Sequence, residues 1–386
     1  IKSTGVEKAY FDELASINKI QFDDYQSPSA LGLAVGFGQR VFDWQAENLI
    51  DFAYVTSEYD PNAIMSTLSQ LTPERARIYH IGPDEISDID LQYADGAYRV
   101  ESFSEEKLSK FSGLDIVLSL PEPEAIEDEQ DIRIAQSKNF IKPTKIYYED
   151  GAQVYLSSSQ DHQGKEGIMN LVFRTSSTSE NVNNLVSANL LIAAFQKKNL
   201  RIIQRAGQRG AFVIPAIDGV GNPLISMSGR TKRHTQYAND LIDKFIDFEI
   251  TERSLKDLKK LYVDSYESIS ELAVADQLEY HALTTTKQAP YLYSQKQFLS
   301  ALNSVTIDDV KEIHKKILES SFIDIYAHGN YSSDQIIEFA KSAREKVGVT
   351  SQQTPWHYES EFEVKVGGGL VKNLRMPRDG VGIMDS

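Results

Sequence analysis

The sequence predicts an α+β, sandwich-like protein built from duplicated units of mainly antiparallel sheet packed with helices. Three observations carry this. Residues 304–347, SVTIDDVKEIHKKILESSFIDIYAHGNYSSDQIIEFAKSAREKV, read as helix, strand and helix with their punctuation intact. Residues 60–82, DPNAIMSTLSQLTPERARIYHIG, carry the same helix-then-strand device. Around Asp150-Gly151 apolar residues alternate on both sides, and Asp-Gly suits the turn whose twist matches two antiparallel strands.

In the first stretch Thr306 caps a helix with Asp309 three residues on, and Ile307, Val310, Ile313 and Ile317 form one apolar stripe. Residues 322–327 alternate as a strand, Gly329 supplies a turn residue free to adopt positive φ, and Ser332 with Gln335 starts the next helix. Its echo has Pro61 in the first helical turn, Ile64, Leu68 and Leu71 on one face, and a strand ending at Gly82. The closing glycines lie 247 residues apart (329 − 82), too far for a solenoid repeat but suited to a duplicated domain. Residues 77–81 and 324–328 are therefore expected as equivalent strands.

In chain order, residues 6–22 show helical spacing at Phe11, Leu14 and Ile17; residues 27–38 are rich in turn formers, and 42–54 resume a helical pattern. Residues 84–97 read as a loop and 104–111 as a short helix. The acidic, proline-punctuated run LPEPEAIEDEQD marks a linker. Beyond it come the hairpin, a strand at 169–173, a helix from Val182 to Phe195, strands at 211–217 and 224–228, and amphipathic helices through Tyr237–Phe248 and Leu255–Tyr266. After Val347 the periodicity fails, and residues 365–374 are expected as weakly anchored strand.

A chain of 386 residues with 40 basic and 56 acidic side chains has a net charge of −16, which argues against nucleic-acid binding. Zero cysteines exclude disulfides and thiolate chemistry and leave the redox compartment open. No apolar run approaches the roughly 20 residues of a membrane helix, so no membrane partner is expected. The opening IKSTGVEKAY lacks Met and any signal-like pattern, and a piece of a longer protein is expected.

The seven histidines include no HExxH or HxxEH pair, so a helical zinc site of that kind is absent from the sequence. His162 with Glu166 and His357 with Glu361 have i,i+4 spacing but fall in polar loops; His162, Glu166 and His234 are the first residues to examine should zinc bind. His80 and His328 close the two echoed strands, which favours packing roles. Asp308/Asp309 and Glu105/Glu106 sit in first helical turns, where negative charge suits the dipole. Gly367–Gly369 lacks the residues of a phosphate loop. Arg201, Arg205 and Arg209 recur at four-residue spacing and Arg230, Lys232 and Arg233 cluster nearby, a local reversal of sign that would suit an anionic partner; a solvated helix face is the competing reading.

The order of linker, hairpin, long helix and two strands, followed by FEITERSLKDLKKLYVDSYESI and FIDIYAHGNYSSDQIIEFAKSAREKVG, resembles the middle of the pitrilysin and insulin-degrading enzyme family, the M16 inverse zinc metalloendopeptidases. The resemblance implies a LuxS/M16 metalloendopeptidase fold in which four homologous domains enclose a peptide-sized chamber. It makes residues 1–118 the later part of a second domain, 119–139 a linker, 140–347 a third domain and 348–386 the start of a fourth. It places the HxxEH zinc motif and the substrate-gripping residues outside this chain, so zinc is a cofactor of the parent enzyme and this piece alone is expected to be inactive. LPEPEAIEDEQD departs from the family's LPxPNxFIPTD. The implied partners are peptide substrates and the remaining domains of the same chain, and the implied location is periplasmic. The alternative is a metal-free, M16-like scaffold or assembly subunit, which loss of an upstream HxxEH would favour.

Overall fold

The structure is a computed structural model that describes residues 5–23, 29–45, 49, 58–82, 85–93, 95–112, 123, 142–157, 165–271, 276–279 and 293–349. The chain divides into two compact units, residues 1–127 and 128–386. Among the described residues no helix is long and apolar enough to cross a membrane.

The first unit holds helices α1 (Lys8–Asp23), α2 (Ala30–Arg40), α3 (Pro61–Ser69) and α4 (Glu105–Ser112), with a two-residue ladder of β1 (Ile89–Asp90) on β2 (Ala97–Tyr98). Helix α1 buries Ile17, and the Tyr59 hydroxyl donates to the Val6 carbonyl at 2.6 Å, tying the approach to α3 to the start of α1. Asp60 caps α3 by accepting from the Asn62 and Ala63 amides, with Pro61 at the first position as expected.

Three expectations need correction here. Residues 30–38 of the turn-rich run lie in α2: its glycines cost about 1 kcal/mol each against alanine, yet Ser29 caps the helix by accepting from the Gly32 amide. The loop at 84–97 contributes the short β1–β2 ladder. Residues 76–82 form no strand, and Ile78, Tyr79 and Ile81 are exposed. A strand exists only where a neighbouring backbone pairs with it, and the 77–81 segment has none among the described residues. The equivalence of 77–81 with 324–328 therefore fails. Most of the helix read at 42–54, the linker, and residues 365–374 lie outside the described residues.

The second unit is built on one six-stranded sheet. Its elements are β3 (Thr144–Glu149), β4 (Ala152–Ser157), β5 (Glu166–Arg174), α5 (Val182–Lys198), α6 (Leu200–Gln208), β6 (Ala211–Ile217), β7 (Pro223–Arg230), α7 (His234–Ile246), α8 (Glu252–Glu267), α9 (Gln295–Ser304), α10 (Ile307–Ser320), β8 (Phe322–Gly329) and α11 (Ser333–Val347). The strand order is β3-β4-β8-β5-β7-β6, antiparallel throughout except for the parallel β4–β8 pair. The α+β, mainly antiparallel class is as the sequence predicts. Gly151 turns the β3–β4 hairpin at φ 90°, and Thr306 and Asp309 form the expected reciprocal capping box of α10. Helix α6 was not separable by pattern from the helix before it; Asn199, whose side chain donates to the Phe195 carbonyl at 2.9 Å, divides the two.

Period-two alternation sorts the strands into two faces. Val154, Met169, Leu171, Phe173, Val213, Ile225, Met227, Ile325 and Ala327 point to one side and are buried. Helix α5 packs there on β6, α7 on β7, and α11 on β3, β4 and β8, while α8, α9 and α10 pack on α5. Phe195 meets Phe245 and Phe248 edge-on at 5.1 and 5.4 Å in this core. Where β5 and β8 cross most closely, glycine is required on both strands. A Cβ on Gly329, at φ 111°, would stand 2.6 Å from the Gly167 Cα, and one on Gly167 would stand 2.7 Å from the His328 carbonyl oxygen.

Candidate functional site

The register sends Tyr148, Gln153, Tyr155, Ile168, Asn170, Arg174, Phe212, Ile214, Asp324, Tyr326 and His328 to the other face. Toward one end it is closed. Asp324 and Gln153 are buried, Arg174 Nε and Nη2 donate to the Asp324 carboxylate and the Tyr326 hydroxyl, and that hydroxyl donates to Asp324 Oδ2 at 2.9 Å. Burial works against the Arg174 charge, but Asp324 and Tyr326 prevail and hold its pKa above the ordinary value. Burial and the adjacent Asp324 charge push the Tyr326 hydroxyl up to about 12. Removing either partner of such a pair leaves an uncompensated buried charge.

Beside this pair the face is aromatic. The Tyr155 and Tyr326 rings stack at 5.4 Å with an interplanar angle of 7°, and the Lys145 ammonium lies 5.0 Å from the Tyr148 centroid and 5.3 Å from that of Tyr155. Toward the β6 edge Ile168, Phe212 and Ile214 are exposed. His328 Nδ1 shares a hydrogen bond with Ser157 Oγ at 2.7 Å. Of this row only His328 was singled out in the sequence, for a packing role; outward parity of Tyr148, Tyr155 and Tyr326 in the alternating strands was the available signal for the rest.

The residues singled out in the sequence behave differently. Backbone pairing brings Arg209 and Arg230 to the Gly210–Gly229 end of the β6–β7 ladder, but both are buried, whereas Arg201 and Lys232 are exposed and Arg205 and Arg233 half-buried. The six therefore do not form one solvent-facing cationic surface. His234 is fully buried, with Nδ1 2.6 Å from the Tyr331 hydroxyl, and burial lowers its pKa to about 4. Glu166 is exposed at the start of β5. His162, His357, Glu361 and Gly367–Gly369 lie outside the described residues.

The family is decided by a match along the chain: residues 22–298 match the family model described as the middle or third domain of peptidase M16. The chain belongs to the peptidase M16 family. The M16 match runs through the division between the two compact units. Protease 3 of Salmonella typhimurium is 24% identical over 359 residues, covering 90% of this chain and 36% of that protein. Protease 3 of Escherichia coli (strain K12) is 22% identical, covering 92% and 37%, and the insulin-degrading enzyme of Drosophila melanogaster 20% identical, covering 91% and 36%. This M16 chain thus spans little more than a third of these relatives. Crystalline pitrilysin has the same fold, with a TM-score of 0.70 at 21% identity over 92% of this chain and 38% of that one.

M16 membership raises the question of zinc. His80 contacts Glu85, His234 contacts Tyr331, His314 contacts the Phe245 carbonyl and His328 contacts Ser157. Among the described residues no three His, Cys, Asp or Glu side chains come together as a metal site needs, so they do not fit a catalytic zinc.

Proposed function

We propose that this chain forms part of the wall of a peptide-holding chamber in a zinc-dependent M16 endopeptidase that degrades peptides and small proteins, with zinc and the catalytic residues held elsewhere in the protein. The observation that carries the reading is the sheet face opposite the one on which α5, α7 and α11 pack. An antiparallel sheet with one side in water ordinarily turns polar residues outward, whereas here Tyr148, Ile168, Phe212 and Ile214 stand exposed on one surface. Extended peptides present apolar side chains and backbone of the kind such a surface accepts. The names of the relatives, Protease 3 and insulin-degrading enzyme, support peptides as the material handled. The remaining domains of the same chain are the proposed structural partners, supported by exposed Leu31, Val35 and Phe42 on and after α2. The proposed location is the periplasm, to which the absence of cysteine is no obstacle.

The test is steady-state hydrolysis of a fluorogenic peptide by the full-length protein carrying Phe212→Asp and Ile214→Asp together. Loss of binding that is uniform between ground and transition states raises KM by about tenfold with kcat within about twofold. An unchanged KM in a folded double variant rejects the chamber-wall reading, and activity insensitive to zinc chelation rejects zinc dependence.

A further inference from the structure

We propose that Lys145, Tyr148, Tyr155 and Tyr326 form a subsite for an acidic residue flanked by aromatic residues in an extended peptide. This rests on the reading of that sheet face as peptide-facing and adds the chemistry it selects. The tyrosines come from three adjacent strands, β3, β4 and β8, and make a continuous shelf: Tyr155 lies flat against Tyr326, and the Lys145 ammonium sits between the faces of Tyr148 and Tyr155. Both Lys145 and Tyr148 are exposed.

The charge on this shelf is not neutralised from within. Glu149, the carboxylate of the same strand, points to the helix-covered side, where it accepts from Tyr147 and Arg344 at 2.9 Å each. Asp324, the acid at this end of the face, is fully buried and committed to Arg174 and Tyr326. Among the described residues Lys145 forms no ion pair. Its two rings fix the ammonium in place without cancelling its charge, since a ring quadrupole attracts a cation but carries no net charge. A peptide carboxylate supplies the missing complement, and aromatic neighbours of that carboxylate meet the exposed edge of Tyr148 in offset or edge-on geometry. In a chain of net charge −16 a local positive shelf also orients an acidic segment toward this end of the sheet.

The experiment uses the full-length protein and two fluorescein-labelled peptides that differ only in a central Phe-Glu-Phe or Phe-Gln-Phe, with affinity read by anisotropy. The glutamate peptide is expected to bind about fivefold more tightly at low salt, the size an exposed ion pair supports, with the difference shrinking as salt rises. Lys145→Gln should abolish the difference and Lys145→Arg retain it. Equal affinities for the two peptides, or a preference that survives Lys145→Gln, overturn the subsite. If the peptides bind equally and Phe212→Asp with Ile214→Asp weakens both, the subsite falls while the peptide-facing reading stands. Binding of neither peptide sinks both.

Discussion

Ile78-Tyr79-His80-Ile81-Gly82 and Ile325-Tyr326-Ala327-His328-Gly329 are nearly the same five-residue phrase, each preceded by a helix, and they have opposite fates. The second is a central strand, hydrogen-bonded to β4 on one side and β5 on the other, with Ile325 fully buried. The first is in no sheet, and Ile81 is 92% exposed. Even the histidines differ: His328 meets Ser157 on the neighbouring strand, whereas His80 meets Glu85 a few residues along its own chain. β-propensity is thus realised by neighbours rather than by the segment itself.

The sharpest way to break this contrast is at the glycines. Gly329→Ala places a Cβ against backbone at positive φ, and strain plus overpacking should remove about 4 kcal/mol. Gly82→Ala, whose Cβ would meet only Glu85 side-chain atoms at 3.5 Å or more, should stay within about 0.5 kcal/mol. Urea unfolding of the two variants reads the difference directly, and equal losses would mean that the segments are packed alike.

Next in size are the isoleucines. Ile325→Ala should cost about 3 kcal/mol through lost burial and a residual cavity, while Ile78→Ala, at an exposed position, should be neutral within about 0.5 kcal/mol. Comparable drops in Tm for both would contradict the exposure of residues 76–82.

The smallest effect sharpens the comparison through pH. His234 is buried, and burial brings its folded pKa to about 4, below the ordinary histidine value of 6.5. Between these values the unfolded chain binds the proton and the folded chain does not, so stability is complete above pH 6.5 and falls as pH drops toward 4. About 1.4 kcal/mol per unit gives a loss of about 2 kcal/mol by pH 5. Burial also lowers His314, which acts with the same sign. Unfolding free energies at pH 7 and pH 5 should show the loss, with a flatter slope in His234→Asn. An unchanged slope in His234→Asn would assign the acid sensitivity to other groups.

What could be read from the chain follows the range of the forces involved. Caps and turns are written in residues three or four apart, and Asp60, Thr306, Ser332 and Asp150-Gly151 all do what their chemistry dictates. Apolar stripes identified α1, α5, α7, α8, α10 and α11 for the same reason. Helix α2 was hidden because its glycines signal a turn while its cap, Ser29, is compatible with either outcome. The failed strand at 77–81 and the tyrosine shelf have one cause. Both depend on which backbones lie side by side, and Tyr155 and Tyr326 meet only because β8 enters the sheet beside β4. The arginines illustrate the converse: their spacing in sequence is regular, but Arg209 and Arg230 are buried where two strand ends meet.

The position of β8 also sets the order in which the sheet can be assembled. Ser157 on β4 and His328 on β8 are 171 residues apart in sequence yet adjacent in the finished sheet. Until β8 arrives, the β3–β4 hairpin and the β5–β7–β6 group each hold an open edge of unpaired N–H and C=O groups. At the usual pace of synthesis the wait is about 10 to 30 s. That interval, with two unsatisfied edges from one ribosome and others from its neighbours, is when this domain is most exposed to edge-to-edge association. The parallel strand is therefore the keystone of assembly: the last of the six strands to be made and the one that closes both halves at once.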